Sequence, residues 1–173
     1  MEYIDLGISN NPKKGYKSTD FNLDKFPYPI KSNSVDSIYL SHILEHLNHP
    51  INCLREIERI LKIGGMVTIK LPHYSCRNAW MNIEHKRAFS LDTIDSILSG
   101  KDTLSKPIPN LFILTKKLNY SCTNYREGYG KRFYEKFLDF LANINVRVFE
   151  RLCIFWFGGF EEIEIKIIKY ENF

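Results

Sequence analysis

The chain has 173 residues, 44% of them hydrophobic and 25% charged, with a formal net charge of +4. This is the composition of one globular domain long enough to bury a core, and it excludes a disordered segment. Lys and Glu are interleaved and no block of like charge forms a basic arm, so charge does not call for nucleic acid as a partner. Cys53, Cys76, Cys122 and Cys153 are widely spaced, with no C-x-x-C pair and no cluster at zinc spacing. The start lacks an apolar leader and no run approaches the roughly 18 apolar residues of a membrane span, so the expectation is a reduced, cytoplasmic protein.

Tyr3 to Leu6 reads as a first strand, closed by Gly7 and the turn residues Asn10, Asn11 and Pro12. Tyr16 to Phe21 reads as a short second strand ending near Asp20, and Phe26-Pro27-Tyr28-Pro29 as a loop. Val35 to Leu40 is a strand. Asn48 is placed to cap a helix that Pro50 opens, and Ile51, Leu54, Ile57, Ile60 and Leu61 recur at helical spacing. Lys62 and Gly64-Gly65 are stop signals before a buried strand from Met66 to Leu71, which Pro72 ends. Strand, helix, strand in this order is a βαβ unit and implies a parallel sheet.

The segment after Pro72 is less regular. Ser90 is placed to cap a helix from Leu91 to Leu98, with Gly100 beyond it, and Pro107 to Tyr120 reads as a short strand or a lid segment. Lys131 to Ile144 reads as a helix with Phe133, Phe137, Phe140, Leu141 and Ile144 on one face. Val146 to Phe157 and Phe160 to Tyr170, separated by Gly158-Gly159, read as a β-hairpin, because Glu162 to Ile167 alternates cleanly. Residues 1–173 are thus expected to form one domain, with 72–145 as an acceptor-site or lid insertion. The expected fold class is α/β, a mostly parallel Rossmann-like sheet with helices on both faces and an antiparallel hairpin at its C-terminal edge.

A doubly wound sheet binds its ligand at the carboxyl ends of its strands. Asp5 to Asn10 is one such tip: Gly7 allows close backbone approach, and Ser9 follows it. Asp20 is a second, since an acid there can accept both hydroxyls of a ribose, with Asp24 as competitor for that role. The third is Ser41-His42-Ile43-Leu44-Glu45-His46. His42 and His46 are four apart and share a helical face, but the spacing is not the His-Glu-x-x-His of zinc proteases and no metal is expected. His46 serves equally well as a capping or packing residue.

Beyond the later strand lie His73, Cys76, Arg77 and Trp80, then Glu84-His85-Lys86-Arg87. His73 or His85 can act as general base toward a hydroxyl acceptor. Arg77, Lys86 and Arg87 can hold a phosphate or carboxylate on a substrate, with Trp80 beside them. The alternatives are a core position for Trp80 and a solvated role for the two basic residues. The Tyr- and Arg-rich run from Asn119 to Gly130 reads as a loop that stacks on a ligand or covers the core.

Three motifs stand in order: Phe26-Pro27-Tyr28-Pro29, then Ser41-His42-Ile43-Leu44-Glu45-His46, then Leu61-Lys62-Ile63-Gly64-Gly65. With Asp5 and Gly7 ahead of them, the chain resembles the class I S-adenosylmethionine-dependent methyltransferases of the small type found in ubiquinone and menaquinone biosynthesis. That resemblance implies a seven-stranded sheet whose last strand is antiparallel. It implies S-adenosylmethionine held near Asp5, Gly7, Ser9, Asp20, Ser41 and His42, and an acceptor near His73, His85, Arg77, Trp80, Lys86 and Arg87.

Two departures stand out. Ser9 takes the place of the family's second glycine, and roughly a helix's worth of sequence is missing between Asp20 and Phe26, where the family has a helix and a further strand, so either the second or the third strand is lost or merged. The expected function is therefore methyl transfer to a small molecule or a glycan or lipid precursor. A catalytically degenerate binding or scaffold module is the alternative, and a second copy could cover the shortened sheet edge.

Overall fold

The computed structural model describes residues 1–7, 12–101, 105–120, 133–152, 154–157 and 159–171. Six strands share one sheet: β1 (Tyr3–Asp5), β2 (Lys17–Ser18), β3 (Val35–Ser41), β4 (Leu61–Pro72), β5 (Leu111–Asn119) and β6 (Glu162–Lys169), in the spatial order β2-β1-β3-β4-β6-β5. β1, β2, β3 and β4 pair in parallel, whereas β6 runs antiparallel to both β4 and β5. The result is the expected Rossmann-like α/β sheet with an antiparallel edge. In its parallel half Ile38, Leu40, Val67, Ile69 and Leu71 are fully buried and alternate with half-buried or exposed Tyr39, Met66, Thr68 and Lys70, so one face is packed on the core and the other is more open.

Between β3 and β4 runs α1 (Pro50–Ile60), which buries Cys53, Leu54, Ile57 and Ile60. The expected cap, Asn48, is displaced by one position. His49 is the N-cap and its side chain does not cap; the Asp24 carboxylate, arriving from the preceding loop, accepts from the amides of Asn48 and His49. The glycine pair Gly64-Gly65 also differs from expectation. The helix stops at Ile60 and β4 begins at once, so the glycines sit in an irregularity of the strand opposite Val35 to Ser37. Gly64 has φ +78°, and a Cβ on Gly65 would stand 2.8 Å from the Lys62 carbonyl oxygen, so the bulge demands the pair.

The segment 72–145 supplies a short helix α2 (Arg77–Met81), then α3 (Leu91–Ser99), β5 and α4 (Phe133–Ile144). α3 is bounded as expected: the Ser90 amide donates to Thr93 Oγ1, and Gly100 ends the helix in the left-handed conformation. β5 is a full member of the sheet, not a lid. The expected terminal hairpin is corrected. Its second arm is β6, but Val146–Leu152 and Ile154–Phe157 are helices, α5 and α6, and β6 pairs with β5 instead. Val146 and Val148 favour a strand by propensity, yet Phe149 and Glu150 are what the fold buries here, and adjacent buried residues do not suit a half-exposed strand. Of the seven strands the resemblance implies, the described residues hold six. β2 survives as two residues beside β1, and Thr19 to Ser34 contains no strand, so it is the third strand that has no counterpart.

Ile165, on β6 between β4 and β5, is fully buried. Ile165→Ala is expected to lower the unfolding free energy by about 2–5 kcal/mol, read from urea denaturation followed by circular dichroism. A change within experimental error would show that this edge does not belong to the cooperative core.

Candidate functional site at the carboxyl ends of the parallel strands

β1, β2, β3 and β4 are parallel, so the segments that follow them emerge at one rim. At the first tip Asp5 is buried, and its carboxylate accepts from the Gly7 amide at 2.9 Å and the Lys13 amide at 2.8 Å. Asp5 therefore shapes the loop from within. A Cβ on Gly7 would stand 3.1 Å from Asp5 Oδ1, and the Gly7 carbonyl accepts from Ser18 Oγ on β2. Ser9 lies outside the described residues.

Asp20 follows the end of β2, exposed and without a hydrogen bond or ion pair to the described residues. Its competitor Asp24 is committed elsewhere: it takes the amides of Asn48 and His49 and the Asn48 side chain. Burial raises the Asp24 carboxyl, but the two backbone donors and Lys86 outweigh it and hold the group below the usual carboxylate range. Of the two acids, Asp20 is the one without a partner among the described residues.

Ser41 ends β3, and His42 follows at φ +55°, a conformation that costs a non-glycine residue energy and persists only where neighbours hold it. The neighbours are identifiable. The His42 amide donates to the Lys70 carbonyl, its Nε2 lies 3.4 Å from Glu162 Oε2, and its Nδ1 lies 3.4 Å from Glu45 Oε1. Glu162, at the start of β6, is buried and also accepts from Lys70 Nζ at 2.9 Å and Asn119 Nδ2 at 3.1 Å. Burial disfavours the Lys70 charge, but Glu162 more than compensates and the ammonium sits above its ordinary value. No sequence spacing announces Glu162; its only local signal is an acid at the inward end of an alternating strand.

The acceptor-side residues separate into two sets. His73 is fully buried: Ser75 donates its amide to Nδ1, so Nε2 carries the proton and donates to Glu150 at 2.9 Å. Glu150 also accepts from the Leu91 amide. His73 thus pins the end of β4 to α3 and α5, with no nitrogen facing a ligand, and the expected base role fails on this geometry. Lys86 and Arg87 also do internal work. The Lys86 amide donates to the Glu45 carbonyl and its ammonium to Asn48, while Arg87 donates to the Leu47 carbonyl. These contacts fasten the loop before α3 to the turn after β3.

Arg77 and Trp80, on α2, are exposed. Trp80 is 71% accessible, with its indole N–H donating to the Tyr74 carbonyl, which leaves the ring free to stack. His85 is enclosed beside Glu45 and His46. Burial pushes the Cys76 thiol up, away from reactivity. The Asn119–Gly130 loop reading falls almost wholly outside the described residues.

Residues 7–69 match the model of the methyltransferase domain family. Among solved structures, the chain resembles an S-adenosylmethionine-dependent methyltransferase from Archaeoglobus fulgidus with TM-score 0.55 and 14% identity over 90% of this chain and 68% of that one. The fold is that of a class I S-adenosylmethionine-dependent methyltransferase domain. A methyltransferase from Mesorhizobium loti gives TM-score 0.52 at 12% identity, over 92% of this chain and 72% of that one. The [4+2]-cyclase SpnF gives TM-score 0.52 at 14% identity, over 91% of this chain and only 58% of its own length. The same fold thus carries more than one chemistry. Among curated proteins none matches the sequence. No helix of the described residues is long and apolar enough to cross a membrane.

Two measurements test this site. Glu162→Ala leaves Lys70 without its main partner and is expected to cost about 3 kcal/mol in urea unfolding, against a smaller loss for Glu162→Gln; equal losses would show that the charge plays no part. Asp24→Ala should cost about 1 kcal/mol at neutral pH. Because the Asp24 carboxyl is lowered in the folded state, its contribution is full above the unfolded value near 4 and fades as the pH drops through the folded value. The two stability curves should therefore converge in acid, and a gap independent of pH would refute the capping role.

Proposed function

We propose that this chain binds S-adenosylmethionine along the rim formed by the carboxyl ends of β1, β2 and β3 and transfers its methyl group to an acceptor lying against α2. One observation carries the reading. The stretch that matches the methyltransferase domain, residues 7–69, runs through Gly7, Asp20, Ser41 and His42, the tips that the parallel strands bring to one rim. The residues fit the cofactor's chemistry. Asp20 offers both carboxylate oxygens to a ribose, the Asp5-shaped turn at Gly7 brings bare backbone to the rim, and Ser41 and His42 border the methionine end.

The bound cofactor supplies an activated methyl on a sulfonium, so the protein's task is to align a nucleophile with it and keep water out. His42, held in its constrained conformation, is a fixed wall of that site. Arg77 supplies a cation and Trp80 an exposed aromatic face, which suit an acceptor with a flat or apolar body and an anionic group, whether a small molecule or a glycan or lipid precursor. With His73 sealed, the reading relies on positioning and asks no proton transfer of that residue.

The shortened edge favours a second reading. β2 has two residues, both exposed, and nothing described lies beyond it, which suits a degenerate module that binds without catalysis or needs a partner to complete the adenine side.

Calorimetric titration with S-adenosylmethionine and S-adenosylhomocysteine separates the readings. Micromolar binding that weakens at least tenfold in Asp20→Ala supports the cofactor site as proposed. Binding that survives the substitution relocates the ribose contact. No heat from the intact chain up to millimolar ligand would reject the stand-alone enzyme and leave the degenerate module.

A further inference from the structure

Glu45 is fully buried, yet neither of its carboxylate oxygens accepts a hydrogen bond from the described residues. A buried carboxylate without donors is costly, and native structures rarely keep one without a reason. The groups that face it are imidazoles. His42 Nδ1 lies 3.4 Å away and His85 Nε2 4.0 Å away, too far for a hydrogen bond from His85. A ring nitrogen of His46 completes the group, and the donor atoms of Glu45, His46 and His85 all lie within 4.8 Å of one another.

The tautomer of His85 sharpens the picture. Its Nδ1 lies 3.2 Å from the Ala79 carbonyl oxygen, which can only accept. In the neutral ring the proton therefore sits on Nδ1, and Nε2 turns a lone pair toward Glu45. A carboxylate oxygen and an imidazole lone pair face each other with no hydrogen between them, and the His46 ring stands edge-on to His85 at 4.6 Å between centroids. A cation satisfies the carboxylate and the His85 lone pair together, and a ring nitrogen of His46 stands close enough to join them.

We propose that Glu45, His46 and His85 bind a divalent transition-metal ion of the zinc class. Two imidazoles and one carboxylate form a three-ligand set that leaves a fourth position open. The carbonyl behind His85 is the outer contact that fixes a ligating imidazole. The frame is braced from both sides, because the Lys86 amide donates to the Glu45 carbonyl and Arg87 to the Leu47 carbonyl. In a closed tetrahedral site the donor atoms stand roughly 3.4 Å apart, so side-chain rotations that draw the group together by about 1 Å suffice. His46, with His42, Leu23, Leu47 and Glu84, also lines a cleft of about 430 Å³, onto which the open position would face. The ion would link the turn after β3 to the loop after α2, and its fourth ligand would be water or an oxygen donor from the cleft. The assignment stands independently of the methyl-transfer reading.

The test uses the full chain, freed of metal by a chelator and then titrated with zinc chloride in a calorimeter and cobalt chloride in a spectrophotometer. Expected are one zinc ion per chain at micromolar affinity or tighter, the intense visible absorption of four-coordinate cobalt, and a rise in Tm on adding zinc. Glu45→Gln, His46→Ala and His85→Ala should each weaken zinc binding at least about tenfold, and His49→Ala should not change it. Glu45→Gln keeps the side-chain volume and offers an amide N–H to His85, so its metal-free Tm should equal or exceed that of the wild type while its response to zinc is lost. If His85→Ala fails to fold, Glu45→Gln and the cobalt spectrum of the intact chain still decide. No zinc binding up to millimolar metal, a weak six-coordinate cobalt spectrum, or affinity unchanged in Glu45→Gln would each overturn the site.

Discussion

The buried carboxylate of Glu162 is the point on which the rim depends. It sits at the first residue of β6, opposite Pro72 of β4 and Asn119 of β5, and it gathers the Lys70 ammonium, the Asn119 amide and the His42 imidazole. A charge so placed is tolerated only because its partners repay desolvation, and removing any one of them leaves the others exposed to that cost. The geometry is correspondingly rigid. β4 and β6 are locked in register where the rim begins, and the first residue beyond β3 is held in a conformation it would not choose alone. The antiparallel edge thus braces the rim as well as closing the sheet.

From that anchor the two halves of the rim diverge. On the β3–β4 side, His42, Glu45, Lys86 and Arg87 form a continuous set of polar contacts, and two loops far apart in sequence are stitched to one turn. On the β1–β2 side the structure is minimal. Two residues of β2 lean on β1, the Ser18 hydroxyl reaches the Gly7 carbonyl, and Asp5 holds its own loop together. Asp24 is spent on the start of α1, which leaves Asp20 as the acid of that side with its oxygens toward solvent. The asymmetry leaves the β3–β4 side of the rim densely tied and the β1–β2 side held by a few contacts.

What the sequence revealed and what it hid follow from the range of the forces involved. The apolar stripe of α1, the Ser90 and Gly100 bounds of α3 and the alternation of β6 are local signals, each set by residues within one or two turns or a few positions along a strand. The rim could be placed because parallel strands put their carboxyl ends together. The failures were long-range. His73 reads as a base from its neighbours in sequence, whereas its Nε2–H donates to Glu150, 77 residues away. Lys86 and Arg87 looked like free charges because the carbonyls that take up the Lys86 amide and the Arg87 guanidinium belong to a turn 40 or so residues earlier. Val146 to Leu152 reads as a strand by β-branched content, and the tertiary need to bring Glu150 to His73 and the amide of Leu91 overrides it.

The buried carboxylates, compared with one another, show why Glu45 stands apart. Asp5 accepts two backbone amides, Glu150 a backbone amide and an imidazole N–H, and Glu162 an ammonium and a side-chain amide. Each of these three is thus given hydrogens. At Glu45 the imidazoles of His42 and His85 stand 3.4 and 4.0 Å away without a hydrogen bond, and the carbonyl behind His85 turns a lone pair toward the carboxylate. With His42 turned also to Glu162, the proposed metal ion would bring Glu45 and His85 the positive charge that their facing lone pairs lack.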